Sequence, residues 1–367
     1  MRIDDILRIR LRSQLIEGGP LLCPADVVAH LLAVQAQDYA GAVWAVGLRA
    51  PGSVLADVER AIAEREIVRS WPMRGTLHFM AAADVRWLLP LLTPRVLARA
   101  ARREQQLDLD GATFARARVL FREALTCGRR LTRPDAMGML ERAGIATTGQ
   151  RGYHILWRLA QEGLIVVGPM EGRQQTFALL DEWVPAARSA IDPAAPREEL
   201  LAHLALRFFT GHGPATVADL ARWADIRVTE ARAGLAAVAG SLESAEYDGE
   251  RYWFSPGAAE PGIGGRGRSP RVHLLPGFDE YMLGYTTRSH QLGEHLETYG
   301  ARVGSNGVLA PTVIVDGRAV GVWKRTLSAR TVVFGMTPFR PFSEREGLAV
   351  QAEQERYARF VGRELAG

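Results

Sequence analysis

Residues 131–180 read LTRPDAMGMLERAGIATTGQRGYHILWRLAQEGLIVVGPMEGRQQTFALL. Thr132 and Asp135 offer cap chemistry for a helix through Leu140, and Gly144 closes it. The run TTGQRGYHILWRLAQEGL carries apolar residues at helical spacing and predicts a second, amphipathic helix. Two short apolar runs follow, LIVV and TFALL, around a Pro/Gly turn. Helix, turn, helix, hairpin is the order of a winged helix-turn-helix unit.

The same order recurs on both sides. Downstream, ATVADLARWADI and TEARAGLAAVAG precede LESAEYDGERYWF, whose Asp248-Gly249 is a strong hairpin turn. Upstream, a looser copy runs from HLLAVQAQDYAGAVWA through SVLADVERAIAEREIV into SWPMRGTLHFM. The carboxyl-terminal third changes character. RVHLLPGFDEYMLGYT, TVIVDGRAVGVWKRTL and TVVFGMTPF are rich in Val, Thr and aromatics, with Asp316-Gly317 as a turn, and predict a small barrel or sheet. A Ser343 to Glu346 capping box then opens a closing helix. The expected fold is α+β, with three tandem winged units and a small C-terminal β-barrel or sheet. The segments are 1–125 (first unit with N-terminal helices), 126–190 (second), 191–257 (third), 258–342 (barrel or sheet) and 343–367 (helix).

Composition bounds the class. The chain has 367 residues, 47% of them apolar, which is ample for several cores. No run approaches the roughly 20 apolar residues of a membrane span, and MRIDDILRIRLRSQL mixes charge with apolar residues unlike a signal peptide, so a cytoplasmic, membrane-free protein is expected. Cys23 and Cys127 sit in no metal-ligand spacing, and reduced thiols are the default. Lys324 is the only lysine, so arginine supplies nearly all the positive charge of a chain with net charge +4. Arginines cluster at Arg95, Arg99, Arg102 and Arg103, at Arg129, Arg130 and Arg133, and at Arg266, Arg268 and Arg271 in a Gly/Pro loop. Such clusters are the footprint of a nucleic-acid binder, and equally of a solvated charged face.

Motif chemistry excludes more than it selects. There is no phosphate-binding glycine loop, zinc-helix H-E-x-x-H or G-x-S-x-G elbow, and the paired cysteines of a zinc deaminase are missing. The histidines show no ligand spacing, so no metal or cofactor is expected. Asp279 and Glu280 are adjacent carboxylates, a pattern that more often caps or turns than acts jointly. Gln35 and Gln37, in Gln35-Ala36-Gln37-Asp38, stand out instead. A carboxamide both donates and accepts a hydrogen bond and carries no charge, so two of them can hold a water without repelling a cation. Residues two apart point to opposite sides of a helix and to one side of an extended chain. The pair can converge only if the preceding helix unwinds at about Gln35 or Ala36, an ending that Gly41 would favour.

The QAQ element, RGTLHFM, QRGYHILWRLAQEGLI, LPGFDEYMLGY and VDGRAVGVWKR occur in one order along the chain. In this the chain resembles bacterial DNA glycosylases of the AlkZ and YcaQ type over essentially its whole length. The resemblance implies winged units and a small barrel around a concave DNA channel. Gln35, Ala36 and Gln37 match the Gln, aliphatic, Gln element of the AlkZ branch; Asp38 lies one residue past the Asp of the YcaQ branch. It implies a monofunctional glycosylase acting, as a monomer, on double-stranded DNA that carries N7-alkylguanine. Its substrates would include bulky adducts and the interstrand crosslinks of natural products such as azinomycin B. Gln35 and Gln37 would hold the attacking water, and Arg74, Arg151, Arg158, Arg266, Arg268, Lys324 and Arg325 would supply phosphate contacts. The rival reading is a non-enzymatic winged-helix regulator, although no dimerisation segment accompanies the winged pattern.

Overall fold

The computed structural model describes residues 1–18, 22–260, 269–303 and 309–366. The fold is mixed α+β, and the chain divides into two compact units, one of Glu59–Leu200 with Ala224–Ile226, the other of Met1–Val58, Leu201–Trp223 and Arg227–Gly367.

In the Glu59–Leu200 unit the stretch quoted above folds in the expected order. Thr132 Oγ1 accepts the Asp135 N–H at 3.3 Å to cap the Arg133–Arg142 helix, which stops before Gly144 at φ +74°. The Arg151–Gln161 helix buries Ile155, Leu156 and Leu159 against Phe114, Phe121, Leu140 and Phe177. Ile165–Glu171 and Gln174–Leu179 form the following antiparallel hairpin, and Leu131–Thr132 pairs with its second strand. The upstream hairpin, Ile67–Met73 with Thr76–Ala81, joins the same sheet through Arg69 opposite Val167. One sheet thus carries the hairpins of two of the sequence repeats.

The other unit holds the third repeat and the carboxyl-terminal sheet. Helices Val217–Ala224 and Val228–Val238 precede the hairpin Glu243–Tyr247 and Glu250–Phe254. Its turn residues Asp248 (φ +51°) and Gly249 (φ +75°) both take the left-handed conformation a tight two-residue hairpin requires. Asp316 and Gly317, at +48° and +87°, do the same between Thr312–Val315 and Arg318–Leu327. Five strands line up in the order Glu364–Leu365, Thr331–Pro338, Arg318–Leu327, Thr312–Val315, Val272–Leu275, antiparallel except for the first pair. The order is open, so the element is a sheet.

The Glu344–Phe360 helix packs against this sheet and against the Tyr39–Arg49 helix. Tyr357 meets Trp44, Trp323 and Phe334 edge-on with ring centroids 4.9 to 5.9 Å apart. Gly47 is required where the helices meet, because a Cβ there would lie 2.2 Å from the Phe360 ring. No helix among the described residues is long and apolar enough to cross a membrane.

Candidate active site

The glutamine pair lies on a segment that is not helical. Pro24 at the first helical position and a box between Cys23 and Asp26 start the helix Pro24–Leu31. It ends at Leu31, four residues before the expected point, because buried Leu32 takes φ +67°, outside the helical basin. Val34–Gln35 is strand, and Asp38 occupies the N-cap of the next helix, Tyr39–Arg49. Gly41 is not the terminator. It sits inside that second helix, where a Cβ would come 2.5 Å from Asp38 Oδ2. The condition that no regular helix runs through both glutamines is met. The strand stops at Gln35, Ala36 is fully buried, and Gln37 and Asp38 form a bend before the next helix. Gln35 is 9% exposed, whereas Gln37 and Asp38 face solvent.

The segment is tied down from behind. The Gln35 N–H donates to Glu280 Oε1 at 3.1 Å, and Trp223 Nε1 donates to Glu280 Oε2 at 2.8 Å. His212 Nε2 lies 3.5 Å from the same oxygen, with its ring stacked on Phe208. The neighbouring Asp279 accepts both guanidinium nitrogens of Arg49 at 2.8 Å, and both side chains are fully buried. Arg49 also donates to the Gln14 carbonyl and side-chain oxygen; Gln14 donates to the Tyr285 hydroxyl, which donates to the His212 carbonyl. Burial pushes the Tyr285 hydroxyl far above its usual range, so it stays a neutral donor.

Adjacent carboxylates were expected to cap or turn. Asp279 does cap, accepting the Tyr281 N–H at 2.9 Å, while it also pairs with Arg49. Sequence reading missed Arg49, Trp223 and the second role of Glu280. The available signal was two acids inside an otherwise apolar run, LLPGFDEYMLGY.

Among the expected phosphate contacts, Arg325 belongs to the same compact unit as the glutamine segment. Its guanidinium lies over the rings of Trp323 (5.5 Å) and Tyr357 (5.2 Å). Burial raises the Tyr357 hydroxyl, Arg325 draws it down and Asp38 pushes it up, which places Asp38 and Arg325 around one phenol. Lys324, next on the strand, is exposed.

Arg74, Arg151 and Arg158 belong to the Glu59–Leu200 unit. Arg74 (φ +53°) turns the Ile67–Ala81 hairpin and meets His78 Nε2 at 2.9 Å. Arg151 donates to the Leu107, Asp108 and Ala146 carbonyls. Arg158 is held by Glu162 at 2.6 Å and Glu104 at 2.8 Å. Arg266 and Arg268 lie outside the described residues. The two thiols are free and exposed.

Comparison with known proteins places the chain. The profile described as DNA glycosylase AlkZ-like matches residues 28–360. A relative named interstrand DNA cross-link repair glycosylase, from Streptomyces sahachiroi, is 27% identical over 368 residues, 95% of this chain and 93% of its own length. The solved structure of Streptomyces sahachiroi DNA glycosylase AlkZ shares the fold, with a TM-score of 0.75 at 24% identity, over all of this chain and 99% of that one. A profile match over nearly the whole chain settles the identity: the chain belongs to the AlkZ-like DNA glycosylase family and is an enzyme of that kind.

Proposed function

We propose that this glycosylase hydrolyses the N-glycosidic bond of N7-alkylguanine in duplex DNA with a water held by Gln35 and Gln37. The observation that carries the proposal is that the helix has ended before Gln35-Ala36-Gln37, so the two amides are not forced to opposite sides; the outer one is open to solvent and the inner one nearly buried.

Alkylation at N7 makes the base cationic. As the bond from C1′ to N9 breaks, its electron pair neutralises the base, which leaves without being protonated. The enzyme must then deliver water to an oxocarbenium-like sugar and accept its proton into the hydrogen-bonded surroundings. A carboxamide is no strong base, but its oxygen can orient the water and favour the positive charge developing on the sugar. Ordinary guanine, a poor leaving group unless protonated, would be spared.

Bulky adducts and interstrand crosslinks fit a nucleophile site whose outer amide is exposed, since a crosslinked base cannot be drawn into a closed pocket. The relative's name supports the same reading. On it, the enzyme would repair crosslinks or protect the producer of an agent such as azinomycin B, acting as a monomer. The repeats at 1–125, 126–190 and 191–257 serve as three winged units, with 258–342 as the sheet and 343–367 as the closing helix. Lys324 and Arg325 are the preferred phosphate contacts, since they belong to the same compact unit as the glutamines. Arg74, Arg151 and Arg158 would have to exchange protein partners for phosphate.

Single-turnover excision from a duplex carrying one N7-methylguanine, and from one carrying an azinomycin crosslink, tests the reading. Gln37→Ala should lose roughly 10²-fold or more in rate, and Gln35→Ala somewhat less, with DNA affinity within about twofold of wild type. Wild-type rates in both variants would remove the amides from the chemistry.

A further inference from the structure

We infer that Glu280 is a positioning residue for catalysis: its buried carboxylate clamps the Gln35 backbone to the Trp223 indole and so fixes where the two amides present their water. The inference rests on the proposed role of Gln35 and Gln37.

A carboxylate that is 1% exposed costs several kcal/mol in lost hydration unless donors replace the water. The two hydrogen-bond donors here come from distant places in the chain. Gln35 N–H binds one oxygen, and Trp223 Nε1 with His212 alongside binds the other. The Gln35 donor is the informative one. It is a main-chain group of the very segment that carries the amides, so the carboxylate sets the height and tilt of that backbone rather than one rotamer.

Glu280 is itself held at both ends. Its preceding residue, Asp279, is pinned by buried Arg49, and Arg49 by Gln14. On the other side, Gly284 leaves the close approach His212 needs: a Cβ there would stand 3.2 Å from the imidazole and 2.8 Å from the Glu280 carbonyl. A buried carboxylate flanked in this way holds its position with little play. An apolar residue of similar volume would leave the Gln35 N–H and the Trp223 Nε1–H buried and unpaired, so the carboxyl group serves the fold as well. What marks it as a positioning group is that one of its two donors is the backbone of Gln35 itself.

The carboxylate offers two acceptor oxygens to two N–H donors. Glu280→Gln keeps one acceptor and turns an NH₂ toward either Gln35 N–H or Trp223 Nε1–H. Trp223→Phe removes the second donor, so the Gln amide oxygen in the double variant can turn to Gln35. The test is single-turnover excision of N7-methylguanine by the full chain, with duplex affinity and thermal midpoint measured in parallel.

Glu280→Gln should slow excision roughly 10- to 100-fold, as expected for a misplaced attacking group, with affinity for the duplex within about twofold. Trp223→Phe alone should stay within about threefold of wild type, and the double variant should recover most of the rate. In a background carrying both Gln35→Ala and Gln37→Ala, Glu280→Gln should cost little more, since the amides it positions are gone. Should the single Glu280→Gln variant fail to fold, the double variant carries the test, and slow excision by it at normal affinity would overturn the clamp. A wild-type rate in folded Glu280→Gln, or an equal loss in Trp223→Phe, would also overturn it. Either result, obtained while Gln37→Ala remains inactive, leaves the water-holding reading intact. Full activity of Gln35→Ala and Gln37→Ala would sink that reading first.

Discussion

Two arginine-carboxylate arrangements in this molecule use the same chemistry to different ends. Arg49 and Asp279 are fully buried and joined by two parallel hydrogen bonds, next to the residue that holds the glutamine segment. Arg158, Glu104, Glu162 and Arg118 form a chain on the other unit, with Arg158 24% and Arg118 40% exposed. Water reaches the guanidinium groups of the second set and its partly covered carboxylates, whereas in the first nothing replaces a lost partner. Thus arginine abundance says little, and what surrounds each guanidinium says nearly everything.

The sharpest way to break the comparison is Arg49→Met. It strands a buried carboxylate, and about 3–5 kcal/mol of unfolding free energy should go, lowering the thermal midpoint by roughly 10 °C. Urea unfolding reads this directly, and a loss under about 1 kcal/mol would put the pair on a par with the exposed set. Arg158→Gln tests the other side. Its loss should be about 1 kcal/mol or less, since two carboxylates still find Arg118 and water. The same variant examines Arg158 as a phosphate contact: if it is one, the slope of log affinity against log salt should shrink by about one.

The contrast explains which parts of the chain could be read in advance. Asp248-Gly249, Asp316-Gly317, the Thr132 cap and the Ser343 box act within four residues, and each stands where the sequence put it. The hairpins and helix pairs followed from periodicity for the same reason. The helix before Gln35 was misplaced because its break is Leu32, a residue with no local liking for positive φ. Only tertiary packing around a fully buried side chain holds it there. The clamp was out of reach on the same grounds: Gln35 and Glu280 lie 245 residues apart, Arg49 and Asp279 lie 230 apart, and no spacing rule spans such distances. The amide motif was legible as chemistry, while the scaffold that would aim it was not.

The last arrangement lies between the two extremes, and its effect shows only at acid pH. Glu346 accepts from Arg340 at 2.6 and 2.9 Å, and from the Ser343 N–H and hydroxyl at 2.8 and 3.0 Å. The Arg340 hydrogen bond, ahead of the Ser343 donors, holds its carboxyl at about 2, below the ordinary 4.5. A folded-state value below the unfolded one stabilises above pH 4.5, and that stabilisation drains away as pH falls toward 2. Glu346→Gln keeps the capping geometry, because glutamine serves at the third helical position, but it cannot titrate. The stability difference between wild type and Glu346→Gln should therefore be constant from neutral pH down to about 4.5, then close between 4.5 and 2. A difference that stays level through that window would mean Arg340 adds only packing here. Glu346 would then belong with the Arg158 set, where the loss of one arginine is expected to cost little.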